Sequence, residues 1–445
     1  MTSHPLLLAA VGGVLICCGT PAVSVTQEAS RPPVIELRGG RWFDGERFAA
    51  GSRWVQGEHF VARPRRGVAD SVVSLDGLYL VPPYGDAHTH SPDGPFGFEA
   101  IHDMYMSAGV FYVQVLTNHR SGRLAMGASI NAPGRLDAQF ADGAVTSSGG
   151  HPQLLYESLA LFRTTFGDSA QRKRAAVSLT QNRDAYHLLD SLSQLPPLVK
   201  RLRLDTLALL KVVLIEAEQH GRFRDDPSKD GSRGVPPELL KPLVDSAHAM
   251  GRRVWAHVET ASDFELAHAA GVDGFAHIPG YGAAFVADSS TFAMRLSADV
   301  VKRLARRPVP VVTTLGLSRD SVRKDAAAGR RAQDVAMANV RLLAKAGFPI
   351  LTGSDTYSSR EAIENDHLSV AEALGMSPKQ HLRLRTIDTP RAIFPGRAIT
   401  ALKLGHEASL LALRCDPLRD ITCQSDIARR MKQGMWITVD SARAP

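Results

Sequence analysis

Eight short apolar runs recur along this chain, and most are followed by a stretch of helical period. That alternation restricts the fold more than any other property of the sequence. The runs are the one ending at His88 (in VPPYGDAHTH, 81–90), VFYVQVLT (110–117), GAVTSS (143–148), LALLKVVLIE (207–216), RRVWAHV (252–258), VDGFAHI (272–278), VPVVTTL (309–315) and FPILTGS (348–354). Between them lie PPELLKPLVDSAHAM, ASDFELAHAAG and RRAQDVAMANVRLLAKAG, each with apolar residues at three- and four-residue intervals. Eight strand–helix units predict an α/β protein with a (β/α)8 TIM barrel rather than an open doubly wound sheet. No GxGxxG follows the first strand, which also weighs against a dinucleotide domain.

The flanks have a different period. From Pro32 to Leu80, apolar and polar residues alternate between Gly-rich turns, and residues 396–418 and 431–440 return to that pattern. Two such segments on either side of a barrel predict one discontinuous β-sandwich made by both chain ends. The expected division is therefore a signal peptide over 1–24, sandwich strands over 32–80, the barrel over 81–395 and the rest of the sandwich over 396–445. Residues 150–205 form an insertion after the third strand, rich in helix formers. It falls on the side where barrel strands end, over the expected active-site mouth.

The first two dozen residues contain no Asp, Glu, Lys or Arg, and the apolar run Leu6 to Cys18 is too short to span a bilayer. A small-residue stretch with AVS (Ala22 to Ser24) follows, the pattern of a cleaved export signal, so a periplasmic or secreted location is expected. LICC resembles a lipidation box, but Cys17 stands where a smaller residue is usual, so simple cleavage is preferred to anchoring at Cys18. No later segment reads as transmembrane. Cys415 and Cys423 are the cysteines left after cleavage, close enough in sequence to pair in an oxidising compartment. The net charge of +7 comes from scattered basic residues without a nucleic-acid motif, which excludes that class of partner. A small-molecule substrate is expected, and homo-oligomerisation is left open.

A barrel gathers its chemistry from the C-terminal ends of different strands. The first run ends in His88 and His90, the fourth holds Lys211, the fifth His257, the sixth His277, and the eighth Asp355. Alternate strand residues share a face, so His88 and His90 point the same way, a two-pronged clamp for a divalent ion such as zinc. Lys211 inside LALLKVVLIE is costly to bury as an ammonium. Its neutral amine can instead react with carbon dioxide to give a carbamate, an anionic ligand with two oxygens. Three more residues follow strands and are candidates for substrate contact: His151 and Tyr281, for a carbonyl oxygen or a charged end, and Arg120, as a carboxylate clamp. His102, His187, His220, His248, His268, His367 and His381 fall in expected helices or polar loops and are read as structural or exposed.

These residues resemble the amidohydrolase superfamily. GDAHTH matches its signature, as do the lone lysine, the two later histidines and the strand-eight aspartate, and GRAITALKLGHEASLLAL is similar to its returning strand. LKVVLIE and the GGH of SSGGHPQ resemble the branch of imidazolonepropionase-like proteins and Xaa-Pro dipeptidases. The resemblance implies two divalent metal ions. His88, His90 and Asp355 would hold one, His257 and His277 the other, with N-carboxylated Lys211 between them. Asp355 would also be catalytic, moving a proton from the attacking water to a leaving nitrogen. The expected activity is hydrolysis of a C–N amide bond in a dipeptide (Xaa-Pro-like) or N-acyl amino acid. The alternatives are a mononuclear deaminase or cyclic-imide hydrolase using Glu259, and a catalytically silent binding protein.

Overall fold

The barrel is built from strands whose side chains are buried on both faces, and this is why they read as near-continuous apolar runs. The computed structural model describes residues 31–65, 68–164, 181–280, 288–316 and 326–440. The expected signal and Tyr281 lie outside the described residues. The barrel strands are β1 (Tyr84–Thr89), β2 (Val110–Val115), β3 (Asp137–Phe140, resuming at Ala144–Thr146), β4 (Leu209–Val213), β5 (Arg253–His257), β6 (Gly274–Phe275), β7 (Val311–Val312) and β8 (Ile350–Leu351). Each pairs in parallel with the next: Asp86 faces Val113, Phe140 faces Val115, Val145 faces Val212, Lys211 faces Trp255, Ala256 faces Phe275, and Val311 faces Ile350. Phe275 also faces Val311. The ring closes where the Ala87 N–H donates to the Thr352 carbonyl (2.8 Å) and the Asp355 N–H to the His88 carbonyl (2.8 Å).

All eight expected strands are present, and β3 differs in form. It starts at Asp137, six residues earlier than its apolar content suggests, because Asp137 and Gln139 break the apolar run without breaking the pairing with β2. It is then interrupted at Asp142, whose φ of 54° lies in the left-handed region, and at Gly143. The insertion also contains an unexpected strand, Tyr186–Leu188, which pairs in parallel with Ala144–Thr146. His187 therefore sits in a buried strand rather than in a helix or polar loop.

Helices follow the strands with ordinary terminal signals. Ala261–Ala270 starts from a Thr260–Asp263 capping box, and Arg360–Leu374 is capped by the Ser359 side chain. One large apolar cluster packs the helices that follow β4 to β8 against those strands.

The chain ends meet in a six-stranded sheet, where Leu410–Leu413 pairs antiparallel with both Tyr79–Val81 and Ile427–Lys432. A four-stranded sheet carries Val34–Arg38 and Arg53–Gln56. Side chains from both sheets share a core containing Leu37, Trp42, Val55, Leu80, Leu410 and Met431. Cys415 and Cys423 form a disulfide. Among the described residues no helix is long and apolar enough to cross a membrane.

Candidate metal centre

The two histidines of β1 are oriented from behind. His88 Nδ1 is 2.8 Å from the Ala276 carbonyl oxygen, and His90 Nδ1 is 2.9 Å from the Thr117 carbonyl oxygen. A carbonyl can only accept, so each Nδ1 carries the proton and each Nε2 presents a lone pair. The two Nε2 atoms then lie 3.3 Å apart, and Asp355 Oδ1 lies 3.3 Å from His88 Nε2 and 3.0 Å from His90 Nε2. Three acceptors thus converge in a buried space with no proton between the two imidazoles, an arrangement that repels itself until a cation joins it. Among the described residues this is the group of His, Cys, Asp or Glu side chains whose ligand atoms lie together as a metal would need. The donor set, two imidazoles and a carboxylate, suits zinc or a related divalent ion.

Backbone strain accompanies the geometry. Asp355 has φ of 51° and Thr314 has φ of 47°, positions that cost a non-glycine residue of order 1–3 kcal/mol each and that persist where surrounding structure enforces them. Here the enforcement is visible. Asp86 accepts hydrogen bonds from Ser354 N (3.0 Å), Ser354 Oγ (2.6 Å) and His88 N (3.1 Å), tying β1 to the turn after β8. Asp366 accepts from Gly353 N (2.8 Å) on the other side. Gly353 itself must lack a side chain, because a Cβ there would meet Val312 and the His88 backbone.

The remaining imidazoles continue from this group in a row. Ring centroids of His88 and His277 are 4.5 Å apart, those of His277 and His257 4.6 Å, and those of His257 and His151 5.1 Å. His277 Nδ1 lies 3.0 Å from Thr314 Oγ1, and His257 Nε2 lies 3.1 Å from Glu259 Oε1. Tyr357 stacks on His90 at 5.0 Å.

Electrostatics agree with a cation-binding role. Burial opposes ionisation of Asp355, yet positive charge on the side of His88 and His277 outweighs it and holds the carboxyl well below the usual carboxylate range, a charge that a bound cation would supply when the rings themselves are neutral. Burial keeps His88 and His277 well below the ordinary imidazole value against the opposing pull of Asp355, so both are neutral and able to ligate. Lys211 is 2% exposed, and burial lowers its ammonium to about 8 against the opposing pull of Asp355.

The structure thus brings together His88, His90, Lys211, His257, His277 and Asp355, with His151 beside His257. It does not bring Arg120 there: that side chain makes a two-pronged ion pair with Asp205 (2.7 and 3.2 Å). Asp86, Thr314 and Tyr357 were not anticipated. VTTL and GDAHTH do place polar residues beside the ligands, but their partners depend on the register between strands that are distant in sequence.

No protein-family model matches the chain. By its fold and by the motifs at its strand ends it resembles the amidohydrolases. Ochratoxinase of Aspergillus niger is 26% identical over 212 residues, 47% of this chain and 42% of that protein, so the match spans less than half of the relative's length. The crystal structure of A. niger ochratoxinase superposes with a TM-score of 0.68 at 16% identity, covering 92% of this chain and 97% of that one. A prolidase complexed with N-methylphosphonate-L-proline gives 0.68 at 17% identity over 92% and 100% of the two chains. Phenylurea hydrolase B gives 0.67 at 18% over 93% and 98%. At such identities the likeness establishes the fold, a barrel with a small β unit.

Proposed function

We propose that this chain is an exported, metal-dependent hydrolase that cleaves a C–N amide bond, with a dipeptide (Xaa-Pro-like) or N-acyl amino acid as substrate. The observation that carries the reading is the meeting of His88 Nε2, His90 Nε2 and Asp355 Oδ1 within 3.3 Å of one another. These three would hold one divalent ion, His257 and His277 a second, and N-carboxylated Lys211 would join the two sites. The fall of Lys211 to about 8 supports carboxylation, since an appreciable fraction of the amine is then neutral near physiological pH. A bound ion of this kind supplies Lewis acidity, lowering the pKa of a water towards neutrality and polarising a carbonyl.

The chain's own residues do the rest. Asp355, its carboxyl held well below the usual carboxylate range, accepts the proton of the attacking water and returns it to the departing nitrogen. His151, in ring contact with His257, would orient the carbonyl oxygen, and Tyr357, stacked on His90, would wall the mouth. The similar prolidase complexed with N-methylphosphonate-L-proline supports an amino acid on the leaving side.

The Glu259 contact to His257 supports a second reading, a deaminase in which Glu259 moves the proton. Both are tested by incubating zinc-replete protein with panels of dipeptides, N-acyl amino acids and amino-purines or pyrimidines. Release of a free amino acid supports amide hydrolysis, ammonia release supports the deaminase, and no product from any panel contradicts both.

A further inference from the structure

A cavity of about 180 Å³ is lined by residues outside the metal group. Arg120, Arg183, Arg201 and Arg252 line it, together with His187 and Asp205. Its carboxylates are already committed. Asp205 is held by Arg120 (2.7 and 3.2 Å) and by Arg123 (3.1 Å), and Asp142 by both ends of the Arg123 guanidinium (2.8 and 3.0 Å). Arg252 spends one nitrogen on the Leu202 and Asp205 carbonyls, which supply hydrogen-bond acceptors and no countercharge.

That leaves a surplus of cations. Four guanidiniums line the cavity with Arg123 behind them, against the carboxylates of Asp142 and Asp205 and, near His187, of Asp184, which accepts from Ser121, and neither Arg183 nor Arg201 has an ion-pair partner among the described residues. Arg201 Nε is buried without a hydrogen-bond partner, and so is Nδ1 of His187, a residue only 6% exposed. Orphaned buried polar atoms are uncommon in folded chains, and both of these belong to residues that line the cavity, so each side chain is short of partners within the protein. Arg183 reaches the cavity from a left-handed backbone position (φ 80°), fixed where its N–H donates to the Tyr186 carbonyl (2.7 Å). Burial, and then the neighbouring Arg183 charge, lowers the pKa of Arg201, as expected for two like charges held together without an anion. The His187 ring, pushed down by burial to about 4, is neutral at physiological pH and can donate one N–H.

We propose that this cavity is a binding site for a small oxyanion, a phosphate or a carboxylate, held by Arg183 and Arg201 with His187 behind. Guanidinium forks match both oxyanions in geometry. The site is distinct from the metal mouth and does not depend on the activity proposed for it.

Calorimetric titration of the full chain with inorganic phosphate and, separately, with succinate at constant ionic strength tests the site. Saturable binding is expected, weakened about tenfold or more in Arg201→Gln and Arg183→Gln. It should be unchanged in Arg303→Gln, a surface arginine paired with Glu265. Tighter binding of phosphate assigns a phosphoryl ligand, and tighter binding of succinate a carboxylate. Anion binding that survives both cavity substitutions, or no binding at all, overturns the proposal. Should the variants fail to fold, crystals of the unaltered protein soaked in selenate decide. An anomalous peak between Arg183 and Arg201 upholds the site, and peaks only elsewhere refute it.

Discussion

Two buried clusters of charged and polar side chains in this molecule obey opposite rules. At one, Lys432, fully buried, donates to Asp137 Oδ2 (2.8 Å), which also pairs with Arg397 (2.8 Å). Arg397 reaches on to Glu407, and Glu407 accepts from Ser409 (2.6 Å) and from the Tyr112 hydroxyl (3.1 Å). Every charge there meets its opposite, and the cluster ties the C-terminal strands to β2 and β3. At the other, His88, His90 and Asp355 turn acceptors towards one another on a strained backbone. A closed network has no further need and serves structure. An open one is stable only because the surrounding fold holds it, and it has a place for a ligand.

The contrast can be broken by substitution. Asp355→Asn at the open cluster should lower the turnover of an amide substrate about 10²- to 10⁴-fold while leaving the melting temperature of metal-free protein unchanged or raised. Lys432→Met at the closed cluster should do the reverse. It should cost about 1.5–3 kcal/mol in denaturant unfolding, because Asp137 loses a charge-assisted hydrogen bond in a buried site while keeping Arg397, with activity per folded molecule retained. Equal effects of the two variants on both readouts would erase the distinction.

A subtler substitution probes how the open cluster is held. Thr314→Val removes the 3.0 Å partner of His277 Nδ1 and should weaken metal affinity about 10- to 100-fold in chelator competition, with little change in stability. Affinity equal to that of the unaltered protein would make Thr314 a bystander.

The smallest expected effect concerns pH. Burial, with Arg201 and Arg252 nearby, holds folded His187 at about 4, below its ordinary 6.5. The unfolded chain therefore takes up the proton first. The stability associated with neutral His187 is present above pH 6.5 and is lost as pH falls towards 4, by about 2 kcal/mol between pH 7 and pH 5. His187→Gln should lose that much less over the same interval in urea unfolding. Parallel losses in the two proteins would contradict the assignment.

Much of the open cluster was legible in the sequence, because strand periodicity alone tells which residues point inward and where strands end. His88 and His90 two apart, Lys211 inside an apolar run, and His257, His277 and Asp355 at the ends of others needed no knowledge of register. The closed cluster was not legible. Asp137 and Lys432 are 295 residues apart, and Asp137 sits on a strand whose polar residues and break at Asp142 hid it. Tyr186–Leu188 is too short to show a period, so His187 went unrecognised as a buried residue. Arg120 illustrates the same limit. A basic residue after a strand reads as a substrate clamp until the fold supplies Asp205 from another element.

The central claim, that the converging acceptors are a metal centre joined through Lys211, is tested most directly by counting metal. Elemental analysis of protein produced with zinc and bicarbonate, alongside Lys211→Ala, should give about two ions per chain in the unaltered protein and fewer in the variant. No bound metal in the unaltered protein would contradict the centre itself, and one ion per chain, indifferent to the substitution, would contradict the role of Lys211.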